Sequence, residues 1–423
     1  LFLEKLVQET EKEHEDILEQ ADETDAVFGE LYSWYLRNPE YKSRVQKLVQ
    51  SAFAGKPKDI ISQSVAKALY GEVSPYSATR LERFAACAFA HFLQYGMKLT
   101  ERVEYEFKPM DMGNVMHEAL ESFAEEVRKR GMKWTELTEQ ERNEIADRCL
   151  DNIVADYGNT VLKSSARNEY MIERTRRILR RTVWALQKQL EQGEFQPEGF
   201  EVTFGGGRID RVDIMEDQNK VYVKVIDYKT GNTSFDLVYL YHGLQLQLMI
   251  YLDGALRVEQ KKYPDKEIIP AGVFYYNIKD PMIQEKIDAD VEAVSAGLMK
   301  ELKMNGLVQA DPELVYRMDS SLGSIPVAFN KDGNFRKNSS VADRTQFAVL
   351  GRYVRTKIEK IRSSILEGDA EVSPYELGKK NACTYCPYMT VCGFDRRLSG
   401  YEFRRLKNFS DEELWKAFDR EVE

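Results

Sequence analysis

The chain has 423 residues, 43% of them apolar, enough to bury a sizeable core and to suggest two or three domains. It holds no run of 18 apolar residues, and the apolar opening Leu1–Val7 passes into acidic residues, which argues against a membrane span or a secretory signal. The formal charge of −10 runs against nucleic-acid binding, but residues 1–30 carry eleven acids and two lysines, so the remainder sums to −1.

Opening on Leu1 without an initiator Met, the sequence is expected to be a piece of a longer protein. Residues 1–70 are predicted as charged helices broken near Asp22, Asn38–Pro39 and Gly55–Pro57. Nothing in them suggests a site, and residues 1–72 are expected to connect residues 73–423 to an upstream region. Ser74-Pro75-Tyr76-Ser77 caps a predicted helix through Leu81, Phe84, Phe89 and Phe92. A second helix runs from Gly113 to about Arg130, its apolar stripe being Met116, Leu120, Phe123 and Val127.

Residues 163–188 hold eight Lys or Arg against Glu169 and Glu173, a net of +6. Ile172, Leu179, Val183, Leu186 and Leu190 form one face of a predicted helix, and Arg174, Arg177 and Arg181 line another, with Arg176 and Arg180 beside them. Either the arginines are solvated surface charge or they touch a phosphate backbone.

From Phe200 the pattern turns to strands. Arg208–Met215 and Val221–Lys229 are separated by the polar turn Asp217–Lys220; a helix over about 235–256 and a strand over 270–278 come next. The order implies an α/β sandwich around a mixed sheet. Residues 286–370 are expected as helix, loop and helix, with the polar stretch Asp319–Ala342 the most mobile part.

Alternation along the second strand puts Asp227 and Lys229 on the face of Val221, Val223 and Val225. A four-residue hairpin loop pairs Glu216 with Val221 and places Asp210 opposite Asp227, with Cβ atoms about 5 Å apart. Facing carboxylates repel unless a divalent cation joins them, and two Asp with a neighbouring Lys suit Mg²⁺-assisted phosphodiester hydrolysis. An exposed hairpin with an ordinary Asp–Lys pair is the alternative. His117 points inward at the edge of its helix stripe, as a metal ligand or a hydrogen-bonded core residue. Gln247 and Tyr251 share a helix face amid Leu244, Leu248 and Leu252, where polar groups need partners.

Cys383, Cys386 and Cys392 form a C-x2-C-x5-C run, a metal-binding spacing. Cys87 is the better fourth ligand; Cys149, within an amphipathic helix, reads as a small core residue. Four thiolates fit zinc and an iron–sulfur cluster alike.

Six segments in this order carry a resemblance over about residues 74–400: Ser77-Ala-Thr-Arg-Leu-Glu-Arg-Phe-Ala-Ala-Cys87, Gly113-Asn-Val-Met-His117, Gly207-Arg-Ile-Asp210-Arg-Val-Asp213, Ile226-Asp-Tyr-Lys-Thr-Gly231, Gln247-Leu-Met-Ile-Tyr251 and the cysteine run. The sequence resembles the C-terminal nuclease domains of AddB-type subunits of bacterial helicase–nucleases, RecB-like members of the PD-(D/E)XK superfamily. The resemblance implies a restriction-endonuclease-like core with helical additions. It makes His117, Asp210, Asp227 and the Tyr228 carbonyl ligands of Mg²⁺ or Mn²⁺, and Lys229 the catalytic lysine. Gln247 and Tyr251 would line the site, and Cys87, Cys383, Cys386 and Cys392 would hold a [4Fe–4S] cluster. It further implies a cytoplasmic partner subunit of the AddA type, and cleavage of single DNA strands during double-strand-break repair. Two departures stand out: Ala88 where similar proteins often have Pro, and Gly205-Gly206-Gly207 abutting the Asp210 strand where they carry a longer hairpin. No G-x4-G-K-[ST] motif is present, so no ATP motor is expected here. A non-catalytic DNA-binding scaffold and a zinc-stapled structural protein are the rival expectations.

Overall fold

The computed structural model describes residues 23–52, 60–71, 77–100, 109–156, 165–205, 207–283, 290–398 and 400–422. The acidic stretch and break expected before residue 23, the break at Gly55–Pro57 and the lead-in Ser74-Pro75-Tyr76 lie outside them. No helix among the described residues is long and apolar enough to cross a membrane.

Two helices, α1 (Glu23–Arg37) and α2 (Pro39–Ala52), meet at Asn38, whose Oδ1 accepts from Glu40 N at 3.1 Å. After α3 (Gln63–Tyr70) comes α4 (Ala78–Ala86), capped by Ser77 and ending at Cys87, then the short α5 (Ala88–His91) and a π-helical turn, Phe92–Gly96. Ala66 and Tyr70 of α3 are buried in the same apolar cluster as Leu81, so α3 belongs to the same layer as α4. Three long helices come next: α6 (Pro109–Lys129), α7 (Glu139–Asp156) and α8 (Ala166–Glu191), the last capped by Ser165.

The sheet is built from β1 (Gln196–Phe204), β2 (Gly207–Glu216), β3 (Lys220–Lys229), β4 (Glu267–Asn277), β5 (Asn305–Gln309) and β6 (Val341–Ala342), in that spatial order. β1–β2, β2–β3 and β4–β5 are antiparallel; β3–β4 and β5–β6 are parallel, giving the mixed sheet expected. The helix expected over 235–256 is divided into α9 (Leu237–Tyr241) and α10 (Gln247–Lys262). The cause is Gly243, whose φ of 78° is left-handed and cannot continue a right-handed helix. Beyond β4 lie α11 (Val291–Glu301), α12 (Pro312–Met318) and α13 (Arg344–Glu367).

Apolar faces sort these elements into layers. Met116, Leu120 and Phe123 of α6, Leu150 of α7 and Leu179, Val183 and Leu186 of α8 cover one sheet face, meeting Met215, Tyr222, Ile226 and Tyr276. Leu248 and Leu252 of α10, Leu81 of α4 and Phe347 and Leu350 of α13 cover the other, over Val212, Val221, Val223 and Val225. Each such buried side chain contributes about 1.5–3 kcal/mol relative to exposure. Cys149 sits in the first cluster, between α7 and its neighbours, as a space-filling thiol.

The stretch from Asp319 to Ala342, expected as the loosest segment, is tied down. Asp319 accepts from the backbone N–H groups of Ser321 (2.9 Å) and Ser324 (2.6 Å), and Ile325 and Val327 enter the core. Its polar residues satisfy the turn and do not face water throughout.

Three charges are buried against the first layer. Asp213 receives Arg211 Nε at 2.6 Å and Lys224 Nζ at 3.0 Å, and the Arg211 guanidinium lies over Trp134 and Phe200. Burial alone would raise the Asp213 carboxyl, but the two cations outweigh it and hold it low. Removing the central acid leaves two uncompensated buried cations. Asp213→Ala is therefore expected to cost about 3–5 kcal/mol in urea unfolding; a loss below about 1 kcal/mol would show that water reaches this triad.

Candidate active site and cysteine centre

Three adjacent strands each bring a carboxylate to one row. The β2–β3 register runs from Glu216 opposite Val221 to Arg211 opposite Ile226, so one further step sets Asp210 opposite Asp227. Tyr228 N donates to Asp210 Oδ2 at 2.7 Å, which fixes that step. In β1, Phe200 pairs with Arg211 and Val202 with Ile209, which places Glu201 opposite Asp210. Asp227 is 1% exposed and Asp210 8%.

The strands lose their alternation at this row. Val212 and Ile214 pack on the α10 side, yet so does Ile209, which regular pleating would send to the other side. Likewise Phe200 packs in the α6 layer while Val202 packs in the α10 layer. Glu201 carries the break, with a left-handed φ of 49° that a non-glycine residue adopts at a cost of about 1–3 kcal/mol. This slip is why Glu201 escapes a sequence pattern built on regular strands. Counting back from the Phe204–Gly207 pair gives its pairing with Asp210 but not the face it takes.

His117 on α6 reaches the row from the other layer. Its Nδ1 lies 3.4 Å from Asp210 Oδ2 and 3.8 Å from Glu201 Oε1. Burial pushes the imidazole down, but the two carboxylates outweigh it and hold its pKa at about 10. Donor atoms of His117, Glu201 and Asp210 lie within 4.8 Å of one another. Arg208 pairs with Glu201 from the strand edge.

Asp227 and Lys229 continue the valine face of β3, as expected. Lys229 Nζ sits 2.7 Å from Asp227 Oδ2 and donates to Gln247 Oε1 at 2.7 Å; Gln247 Nε2 donates to Tyr251 OH at 2.9 Å. Burial, with the facing Asp210, pushes the Asp227 carboxyl up to about 7 against the pull of Lys229. Burial likewise pushes the Tyr251 hydroxyl up to about 12, so it stays protonated at neutral pH. Tyr251 in turn meets the Phe204 ring edge-on, and that ring fits because residue 254 is glycine: a Cβ there would stand 2.6 Å from it. Glu82 on α4, unassigned by the sequence pattern, accepts from Leu246 N (2.7 Å) and Gln247 N (3.0 Å) at the start of α10.

The donor set fits a hard divalent cation. It is mostly carboxylate oxygen, and the buried Asp227 Oδ2 has an ion-pair contact with Lys229 but no well-aligned hydrogen bond.

The four predicted cysteines converge. Cys87, Cys383, Cys386 and Cys392 line one small apolar cavity with Phe89, Pro374 and Phe394. A second sheet frames them, made of β7 (Tyr375–Leu377), β8 (Lys380–Asn381) and β9 (Arg404–Arg405). Asn381 Oδ1 accepts from Cys383 N (2.9 Å) and Thr384 N (3.0 Å), which starts the turn that aims the first two thiols together. Burial, then the neighbouring thiols of Cys87, Cys386 and Cys392, pushes Cys383 up to about 12. Protons on such a thiol must leave for a metal to bind.

The basic helix is more neutral than its composition implies. Arg176 and Arg180 pair with Asp147 of α7, Arg176 also with Asp151 at 2.7 Å, and Arg177 with Asp280 at 2.6 Å. Arg181 lies over Trp184, and Arg174 is exposed on α8. For the predicted trio Arg174, Arg177 and Arg181, none of these contacts reaches the carboxylate row.

Comparison with known proteins agrees with this geometry. The sequence is 41% identical over 422 residues to a subunit of the ATP-dependent helicase/deoxyribonuclease of Lachnoclostridium phytofermentans, covering 94% of this chain and 36% of that protein. The subunits of the same name from Thermoanaerobacter sp. (strain X514) and Clostridium acetobutylicum are each 33% identical, over 95% of this chain and 37% of theirs. The chain thus spans little more than a third of these relatives. A sequence model described as the PD-(D/E)XK nuclease superfamily matches residues 75–393, which contain every carboxylate, lysine and cysteine described above. The chain belongs to the PD-(D/E)XK nuclease superfamily.

Proposed function

We propose that this chain is the nuclease portion of a bacterial helicase–nuclease subunit, cutting single DNA strands with Mg²⁺ or Mn²⁺ as a partner helicase of the AddA type supplies them. Double-strand-break processing in the cytoplasm, and the helices before residue 73 acting as a connector to an upstream region, belong to the same reading. The observation that carries it is the row Glu201, Asp210, Asp227 with His117 beside it and Lys229 at its end. The deoxyribonuclease named in the relatives supplies DNA as the substrate class.

Asp210, Asp227, His117 and the Tyr228 carbonyl would hold the cation, with Glu201 as a further ligand from β1. When bound, the cation polarises the phosphate and lowers the pKa of a water. The chain's own contribution is placement. Gln247 accepts one proton of the Lys229 ammonium and the ion pair with Asp227 holds the group in place, so the ammonium still has protons to offer a phosphate oxygen or the attacking water. A fixed cation there offsets charge that develops on the phosphate. Tyr251, protonated, holds Gln247 in that arrangement. Facing buried carboxylates have no purpose in a passive scaffold, which favours the catalytic reading. Exposed Arg174 and Arg177, with the half-buried Arg181, stand as the candidate phosphate contacts of α8.

The cysteines are proposed to hold a [4Fe–4S] cluster. Four thiolates fit a single zinc ion and an iron–sulfur cluster alike, and the resemblance to AddB-type subunits is what favours iron.

Three measurements test these assignments. On single-stranded DNA with Mg²⁺, Asp227→Ala should lose roughly 10³-fold or more in rate, about 4 kcal/mol. Its metal-free melting temperature should hold or rise, because a repulsion is removed. Cutting at the native rate by Asp227→Ala, in a preparation clear of other nucleases, rules the site out.

Cation affinity should also depend on pH. His117, held at about 10, and Asp227, at about 7, keep protons at neutrality that a cation must displace, so affinity rises with pH from 6 to 9. Calorimetry of Mn²⁺ binding at pH 7 in buffers of different ionisation enthalpy should show proton release, reduced by about one in His117→Gln. Equal release in both proteins would remove His117 from the ligand set.

Cys87 lies about 300 residues before Cys383, so a cluster would close a long loop, constraining the unfolded chain by on the order of 4–5 kcal/mol by analogy with a disulfide. Cys87→Ala is expected to lose iron, brown colour and protease resistance over residues 375–398, whereas Cys149→Ala keeps all three. Full iron in Cys87→Ala would defeat the four-cysteine assignment.

A further inference from the structure

Helix α10 begins without a cap of its own. Leu246 makes no side-chain hydrogen bond to the first turn, and the backbone N–H groups of Leu246 and Gln247 are aimed at one oxygen, Glu82 Oε1. A helix N-terminus carries unsatisfied donors and a partial positive charge, so an acid from elsewhere is the natural partner. Glu82 comes from 164 residues earlier in the chain, on α4. Burial pushes its carboxyl up to about 7, the two amide bonds and Lys229 drawing it back and Asp227 adding to the rise.

The first residue that this carboxylate fixes is Gln247, whose Oε1 accepts from Lys229. We infer that Glu82 is a positioning residue for the nuclease reaction, setting Lys229 through the first turn of α10 and Gln247. Its hydrogen bonds go to the backbone of α10, not to the carboxylate row. It rests on the nuclease reading for the role of Lys229, while the positioning itself is a property of the chain. The same helix ends at Cys87, five residues on, about 7–8 Å along the axis. Glu82 therefore also registers the cysteine-bearing helix α4 against the start of α10.

Glutamine keeps an oxygen able to accept both N–H groups; alanine does not. Glu82→Ala is expected to lower kcat on single-stranded DNA about tenfold with KM changed less than about twofold, and Glu82→Gln to recover most of that. Iron content should stay native in both. Hydrogen–deuterium exchange should quicken in Glu82→Ala over residues 244–252 and remain near native in Glu82→Gln. If Glu82 acts through Gln247, the double variant Glu82→Ala/Gln247→Ala cuts no more slowly than Gln247→Ala alone. Multiplying losses in the double variant, or unchanged exchange over 244–252, overturns the inference. Should the native protein cut no DNA with Mg²⁺, the nuclease reading falls, and the exchange arm still decides whether Glu82 orders this turn.

Discussion

Two buried carboxylates cannot face one another in a sheet without a cation to hold them, and the site around Asp210 and Asp227 answers to that constraint. Four positive or potentially positive groups approach the row from different directions. Lys229 lies along β3, Arg208 at the outer edge of β2, and His117 comes across from the helical layer. The fourth is the divalent cation that the oxygen set fits. Against burial, the carboxylates hold the His117 imidazole at about 10, and burial with the facing Asp210 pushes Asp227 up to about 7, so protons as well as cations moderate the repulsion. The protons that ease the repulsion in the row are thus the ones a cation must displace.

The site lies where the two packing layers meet. α6 brings His117 from one side of the sheet and α10 brings Gln247 and Tyr251 from the other, so neither layer contains the whole constellation. Unbroken alternation would send residues 209 and 211 to the same layer. The left-handed Glu201, and the change of face between Ile209 and Arg211, let one hairpin present side chains to both layers within three residues. The strain at Glu201 sits where the chemistry needs it, a placement common at functional sites.

What could be read from the sequence was local. The Asp217–Lys220 turn sets the hairpin register, which brings Asp210 to Asp227, and the Cys383–Cys392 spacing needs no tertiary context. Helical periodicity oriented His117 inward. The missing parts are those decided by distant partners. Glu201 requires a broken strand, Glu82 requires a helix end 164 residues away, and the neutralisation of Arg176 and Arg180 requires Asp147 on a different helix. Composition counts charges but not their pairings, so α8 reads as more basic than it is. Gly243 was visible in the sequence, yet periodicity across it masked the break.

The spatial order of the main sheet repeats the order of its strands along the chain, β1 through β6. Each strand can therefore pair with one already in place as the polypeptide leaves the ribosome, and the entropy of closing each loop stays small. The three strands that make the carboxylate row lie between residues 196 and 229 and can pair first, while the cysteine run at 383–392 emerges last. The row can thus form before the roughly 160 residues from Lys229 to Cys392 have been made. Only then can Cys87 meet Cys383, Cys386 and Cys392 in the small cavity that the four line.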